Sequence, residues 1–102
     1  MRKYLLGIEA SQDVLDIWDY IANDNIQAAD RLVKALFDAF EKLGRMPRMG
    51  HRREDLVEDR PLLLWPVGDY LVIYRADRLP IEIRAITRSS RDIPSFLRRR
   101  EP

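Results

Sequence analysis

The sequence predicts an α+β fold, β-α-α-β-β-β with a short C-terminal helix, in which a helical hairpin packs on one face of a small, mainly antiparallel sheet. Two observations carry most of that expectation. An apolar stripe of Ala29, Leu32, Val33, Leu36, Phe40 and Leu43 repeats at helical spacing, and a shorter amphipathic segment precedes it after a tight turn. The second half then holds three β-forming runs, two of them meeting at Gly68-Asp69.

Taken in order, Arg2 to Leu6 reads as a short first strand, and Gly7 offers a break and a tolerable helix cap. From Ile8 to about Asn23, Val14, Ile17, Trp18 and Ile21 follow the i, i+3, i+4, i+7 pattern. Asp13, Asp16 and Asp19 are expected largely on other faces of that helix. Asn23-Asp24-Asn25 makes the turn, with Asn25 placed to cap the second helix, and Gly44 and Pro47 are expected to end it. Two antiparallel helices so joined form an αα-hairpin whose apolar stripes need a surface to cover.

Residues 48–60 are polar and charged and read as an irregular loop. Strands are expected at about Leu62–Val67, Tyr70–Arg75 and Ile81–Thr87, with tips at Gly68-Asp69 and Ala76–Pro80. Pro66 cannot donate to a ladder, so its strand belongs at a sheet edge. In the last strand Ile81, Ile83 and Ala85 alternate with Glu82 and Arg84, which predicts one wet face. Ser89 or Ser90 is the expected cap of a final segment, Asp92 to Arg100, with Ile93, Phe96 and Leu97 as its apolar contacts.

At 102 residues the chain is expected to form one domain that buries a core without staples. No apolar run approaches the ~20 residues that span a bilayer, and the first residues do not read as a signal peptide. The absence of cysteine removes disulfides, thiolate nucleophiles and cysteine-based zinc sites, and fits a reducing cytoplasm. The net charge of +1 hides an asymmetry: residues 1–44 hold five basic and eight acidic residues, residues 45–102 thirteen and nine. After Lys42 every lysine-or-arginine position is arginine, the residue suited to carboxylates and phosphates. A partner with acidic groups follows from this, but not a general nucleic-acid binder.

Four segments, in order, carry a resemblance to a known family. They are Ile17-Trp18-Asp19-Tyr20-Ile21-Ala22 with Ala28-Ala29-Asp30-Arg31, Pro47-Arg48-Met49-Gly50, Pro66-Val67-Gly68-Asp69-Tyr70 running into Ile73-Tyr74-Arg75, and Arg91-Asp92-Ile93-Pro94. Together they make residues 1–102 resemble the ParE branch of the ParE/RelE superfamily, the toxin halves of type II toxin–antitoxin systems. The resemblance implies a small cytoplasmic toxin with a ParE/RelE-like fold. It implies a hetero-oligomer with a ParD-like antitoxin whose C-terminal segment wraps around it, and no direct DNA binding without that antitoxin. ParE members are described as DNA gyrase inhibitors, RelE members as ribosome-dependent mRNA endonucleases. The chain departs from the ParE pattern at Gly7-Ile8, where Ser-Pro is frequent, and at Arg88-Ser89, where His-Gly is frequent.

RNA cleavage needs a proton acceptor, a proton donor and cations. Arg53, Arg75, Arg84 and Arg88 supply cations, but no lysine follows Lys42 and His51 is the sole histidine. The expectation is therefore no catalytic residue, no metal site and no cofactor. A RelE-like endonuclease, or a non-toxic relic that still binds antitoxin, is the alternative. The acids Glu54-Asp55 and Glu58-Asp59 read as balancing Arg52, Arg53 and Arg60.

Tyr70, Val72 and Tyr74 share a strand face and pair across the hairpin with Val67, Trp65 and Leu63. Trp65, Tyr70 and Arg75 are the candidates for contact with the antitoxin. Arg84, Arg88, Arg91, Arg98, Arg99 and Arg100 are the candidates for contact with the target, expected as one basic surface near the end of the last strand.

Overall fold

The computed structural model describes residues 3–100. Its elements are β1 (Tyr4–Leu6), α1 (Ile8–Ala22), α2 (Ile26–Arg45), α3 (Glu54–Val57), β2 (Leu62–Val67), β3 (Tyr70–Arg75), β4 (Ile81–Arg88) and α4 (Ile93–Arg100). The sheet order is β1-β4-β3-β2, with β1 parallel to β4 and the other pairs antiparallel. The α+β hairpin-on-sheet architecture is as the sequence predicts. Arg2, expected at the head of the first strand, lies outside the described residues. Among these residues no helix is long and apolar enough to cross a membrane.

The helical hairpin forms where the apolar periodicity puts it. Asn25 caps α2, its side-chain oxygen accepting from the Ala28 N–H at 3.0 Å. Leu36, Phe40 and Leu43 are fully buried with Val72, Tyr74, Ile81 and Ile83 of the sheet. Each such side chain contributes roughly 1.5–3 kcal/mol relative to exposure. Gly44 does not stop α2; the helix runs on to Arg45. Its lack of a side chain serves packing instead, since a Cβ there would sit 2.6 Å from Lys3 Cβ.

The edge position of β2 agrees with Pro66, and Gly68-Asp69 closes the β2–β3 hairpin. In β4 the regular alternation fails. Ile73 pairs with Ala85 and Tyr74 with Ile83, so Arg84 is an extra residue in its strand. The bulge turns Ala85 away from Ile81 and Ile83 onto the opposite face, while Ile86 returns to the helical side.

That opposite face is not wet, as the alternation of Glu82 and Arg84 suggested. A second core, made by Val57, Leu62, Leu64, Ile73, Ala85, Ile93, Phe96 and Leu97, packs α3 and α4 against it. Residues 48–60 are correspondingly more ordered than their composition implies. Arg52 donates to the Arg60 carbonyl at 2.6 Å, the Glu58 carbonyl at 2.8 Å and Glu54 Oε1 at 2.7 Å, folding the segment around one guanidinium. His51 exchanges two 2.8 Å backbone hydrogen bonds with Leu64, extending the β2 edge. The cap of α4 is Asp92 rather than Ser89 or Ser90: its carboxylate accepts from the Ser95 N–H at 3.3 Å and the Ser95 hydroxyl at 2.9 Å. Ser89 instead donates to the Asp69 carbonyl.

Candidate functional site

Three surfaces carry the chemistry, and one buried carboxylate organises two of them. Asp13 sits on the stripe of α1, three residues after fully buried Ala10, and not on a polar face as expected. Its Oδ2 accepts from the Ile86 N–H at 3.0 Å, tying α1 to the middle of β4. Arg100 closes on the same group from α4, donating to Oδ1 at 2.6 Å and Oδ2 at 2.9 Å, and lies 4.4 Å from the Phe96 ring centre. The hydrogen-bonded Asp13 carboxylate raises the Arg100 guanidinium further above its ordinary range. The spacing Ala10, Asp13, Val14, Ile17 was the sequence signal for a buried Asp13, because positions three and four apart share a helix face.

Beside this pair, a cleft of about 280 Å³ opens at the end of β4. Its walls combine Tyr20 and Asp16 of α1, Tyr70 of β3, and Arg88, Arg91 and Arg100. Arg88 lies over both aromatic rings, 5.5 Å from the Tyr20 centre and 5.7 Å from that of Tyr70. Arg91 lies 5.0 Å from the Phe96 ring. Tyr20 is two-thirds exposed, so an aromatic ring and two arginines face solvent together.

The six arginines expected on one basic surface are therefore divided. Arg88 and Arg91 stand at this cleft, and Arg100 is held between it and the far sheet face. Arg84 points to that far face, where the β4 bulge carries it, and approaches Glu82 at 3.5 Å. Arg98 pairs with Glu58 at 3.0 Å, joining α4 to the α3 segment. Arg99 is exposed within α4. The segment 98–100 is an ordered last helical turn, and its arginines point to different neighbours.

Trp65, Tyr70 and Arg75 are likewise not brought together. Trp65 and Tyr70 lie on the helical side of the sheet, Arg75 on the opposite side. Trp65 is half-buried under Lys42, 5.8 Å from its ring, with the His51 ring stacked at 6.2 Å. Tyr70 is only 7% exposed. Arg75 is gripped by Asp77 through contacts of 2.6 and 2.9 Å, which lowers the Asp77 carboxyl below the usual range. Tyr74 is a structural strut: its hydroxyl donates to the Pro47 carbonyl at 2.7 Å and accepts from the Gly50 N–H at 2.9 Å. Burial pushes its phenol up, which keeps the hydroxyl protonated and able to donate to Pro47. Three of the four acids in residues 54–59 pair with arginines as the sequence suggested, Glu54 with Arg52, Asp55 with Arg53 and Glu58 with Arg60.

The third surface is apolar and was not anticipated. Leu6, Val14, Leu15, Trp18, Val33 and Phe37 line a groove of about 390 Å³ between α1 and α2. Leu15 is 58% exposed and Phe37 36%, and the groove adjoins β1, which forms one edge of the sheet. An exposed apolar groove beside an unpaired strand edge suits an amphipathic peptide, which can add helix or strand there. Leu15 and Phe37 fall outside the main helical stripes, and that was the available signal.

A family model described as the ParE toxin of type II toxin–antitoxin system, parDE, matches residues 5–93. Among solved structures, a chromosomal ParDE toxin–antitoxin system from P. aeruginosa is similar with a TM-score of 0.68 at 18% identity, over 83% of this chain and 92% of that one. At that identity the likeness speaks for the fold. No curated protein sequence matches the chain.

Proposed function

The chain belongs to the family of ParE toxins of type II toxin–antitoxin systems, and from that premise we propose that it inhibits DNA gyrase in the cytoplasm by protein binding and is neutralised by a ParD-like antitoxin. The observation that carries the proposal is the family match, which runs from β1 to the first residue of α4. The cleft at the end of β4 suits the target. Tyr20, Arg88 and Arg91 are the residue types that dominate protein–protein hot spots, and they stand exposed around a concave surface. The apolar groove of α1 and α2 suits an amphipathic antitoxin segment. Trp65 and Arg75 extend the antitoxin proposal onto the two sheet faces, and Tyr70 belongs with the target cleft through Arg88.

Inhibition by binding is supported over RNA cleavage by the state of the titratable groups. Tyr74 is buried with both hydroxyl functions occupied, and Arg53, Arg75 and Arg84 each face a carboxylate. The test is a supercoiling assay with purified toxin and gyrase. Supercoiling should stop, or cleaved DNA accumulate, and added antitoxin should restore activity. Untouched supercoiling together with cuts in ribosome-bound mRNA overturns the proposal in favour of an endonuclease. Normal growth on expression without antitoxin identifies a non-toxic relic.

A further inference from the structure

Helix α2 runs for 20 residues, about 30 Å, and an exposed apolar patch lies at each of its ends. At the C-terminal end Met46, Pro47, Met49, Ala76 and Leu79 line an open cleft of about 660 Å³ between α2 and the β3–β4 connection. Leu79, in that connection, is 73% exposed, and Met46 is more than half exposed. At the N-terminal end Tyr20, Ile21 and Ala28 border a hollow of about 520 Å³ at the α1–α2 turn. Tyr20 and the neighbouring Ile26 are each more than half exposed. We propose that the chain docks head to tail on a second copy of itself, the Leu79 end of one copy seating on the α1–α2 turn of the next.

The two patches carry opposite charge. Arg48 and Arg78 stand in the wall of the first and make no ion pair among the described residues. Asp77, the one acid in that wall, is held by Arg75 through both oxygens, and Arg78 is the least of the influences on it. Asp24 is the one charged residue in the second wall. Neither it nor Asp19, next to Tyr20 in the chain, makes an ion pair among the described residues. Acids at the start of α2 and arginines at its end suit the helix macrodipole. The dipole gives no reason for Leu79, Met46, Tyr20 and Ile26 to stand in solvent, whereas a contact that buries them against one another does. Leu79 and Met46 then fill the hollow while Arg48 and Arg78 reach Asp19 and Asp24, an apolar centre inside a charged rim. Because the patches differ and lie at opposite ends of one helix, the contact is heterologous and repeats from copy to copy.

The test is sedimentation velocity of the full chain, purified without antitoxin, from about 10 μM to about 1 mM, the range in which weak contacts half-form. Mass should rise with concentration past the dimer and fall again as salt is added. Arg78→Glu and Asp24→Arg each set like charges against each other and should each weaken association by roughly tenfold or more. Mixed one to one, the two variants offer each other opposite charges again and should associate as the wild type does. Leu79→Ser, at an exposed position, removes the apolar knob and should weaken association by about tenfold as well. Asp55→Asn, which removes an exposed acid away from both patches, should change nothing. A monomer at every concentration, a mass that stops at the dimer, association indifferent to both charge reversals, or a mixture no better than either variant alone would overturn the proposal.

Discussion

Arg100 closes a two-point ion pair on Asp13 across 87 positions of sequence, joining the last helix to the first. Asp13 also receives the Ile86 N–H, so one carboxylate pins α1, β4 and α4 together. Removing one member of a buried pair costs more than the pair contributes, because the other charge stays behind. Asp13→Ala should lower stability by about 3 kcal/mol, and the Asp13→Ala/Arg100→Ala double variant should lose clearly less than the sum of the two singles. Urea unfolding of the four proteins measures both quantities.

The α4 cap gives a pH signature. The Asp92 carboxyl is held below its ordinary value of 3.8, first by the Ser95 hydroxyl and then by the Ser95 N–H. A depressed folded value places this stabilisation above the unfolded pKa, and it is lost as pH falls through 3.8 toward the lower folded value. Asp92→Asn should therefore flatten the fall in unfolding midpoint below about pH 4, with little change in its shape near neutrality.

Tyr74 and Gly50 are packed so closely that each constrains the other. Tyr74→Phe leaves the Gly50 N–H and Pro47 carbonyl without their shared partner and should cost about 1–3 kcal/mol. Gly50→Ala should cost more, because its Cβ would lie 2.7 Å from Tyr74 Cε1. Thermal unfolding ranks the two.

The sequence made the helical hairpin, the three-strand run and the Pro66 edge legible because each rests on local periodicity or on a missing donor. The second core was not legible. The β4 bulge reverses the alternation after Arg84, and α3 is shaped by Arg52 bonds to residues that no sequence rule pairs. The division of the arginines was hidden for the same reason. Their neighbours along the chain, Arg98 and Arg100, point to Glu58 and Asp13, which only the folded chain brings close. Asp13 was legible in principle from its spacing to Ala10 and Ile17.

The apolar groove and the target cleft should separate genetically. Leu15→Asp places a charge among Leu6, Val33 and Phe37 while replacing an exposed residue, so folding should survive. It should weaken antitoxin binding by about 100-fold, a hot-spot-sized loss, yet leave toxicity intact. Growth with the antitoxin co-expressed, together with binding of the purified pair, reports both effects.

The most direct test of the account is gyrase supercoiling by purified protein, wild type beside Arg88→Ala. The wild type should abolish supercoiling in a way the antitoxin reverses, and Arg88→Ala should need roughly ten times more protein or greater for the same inhibition. Full supercoiling at high wild-type concentration, with translated mRNA cut in parallel, would contradict it.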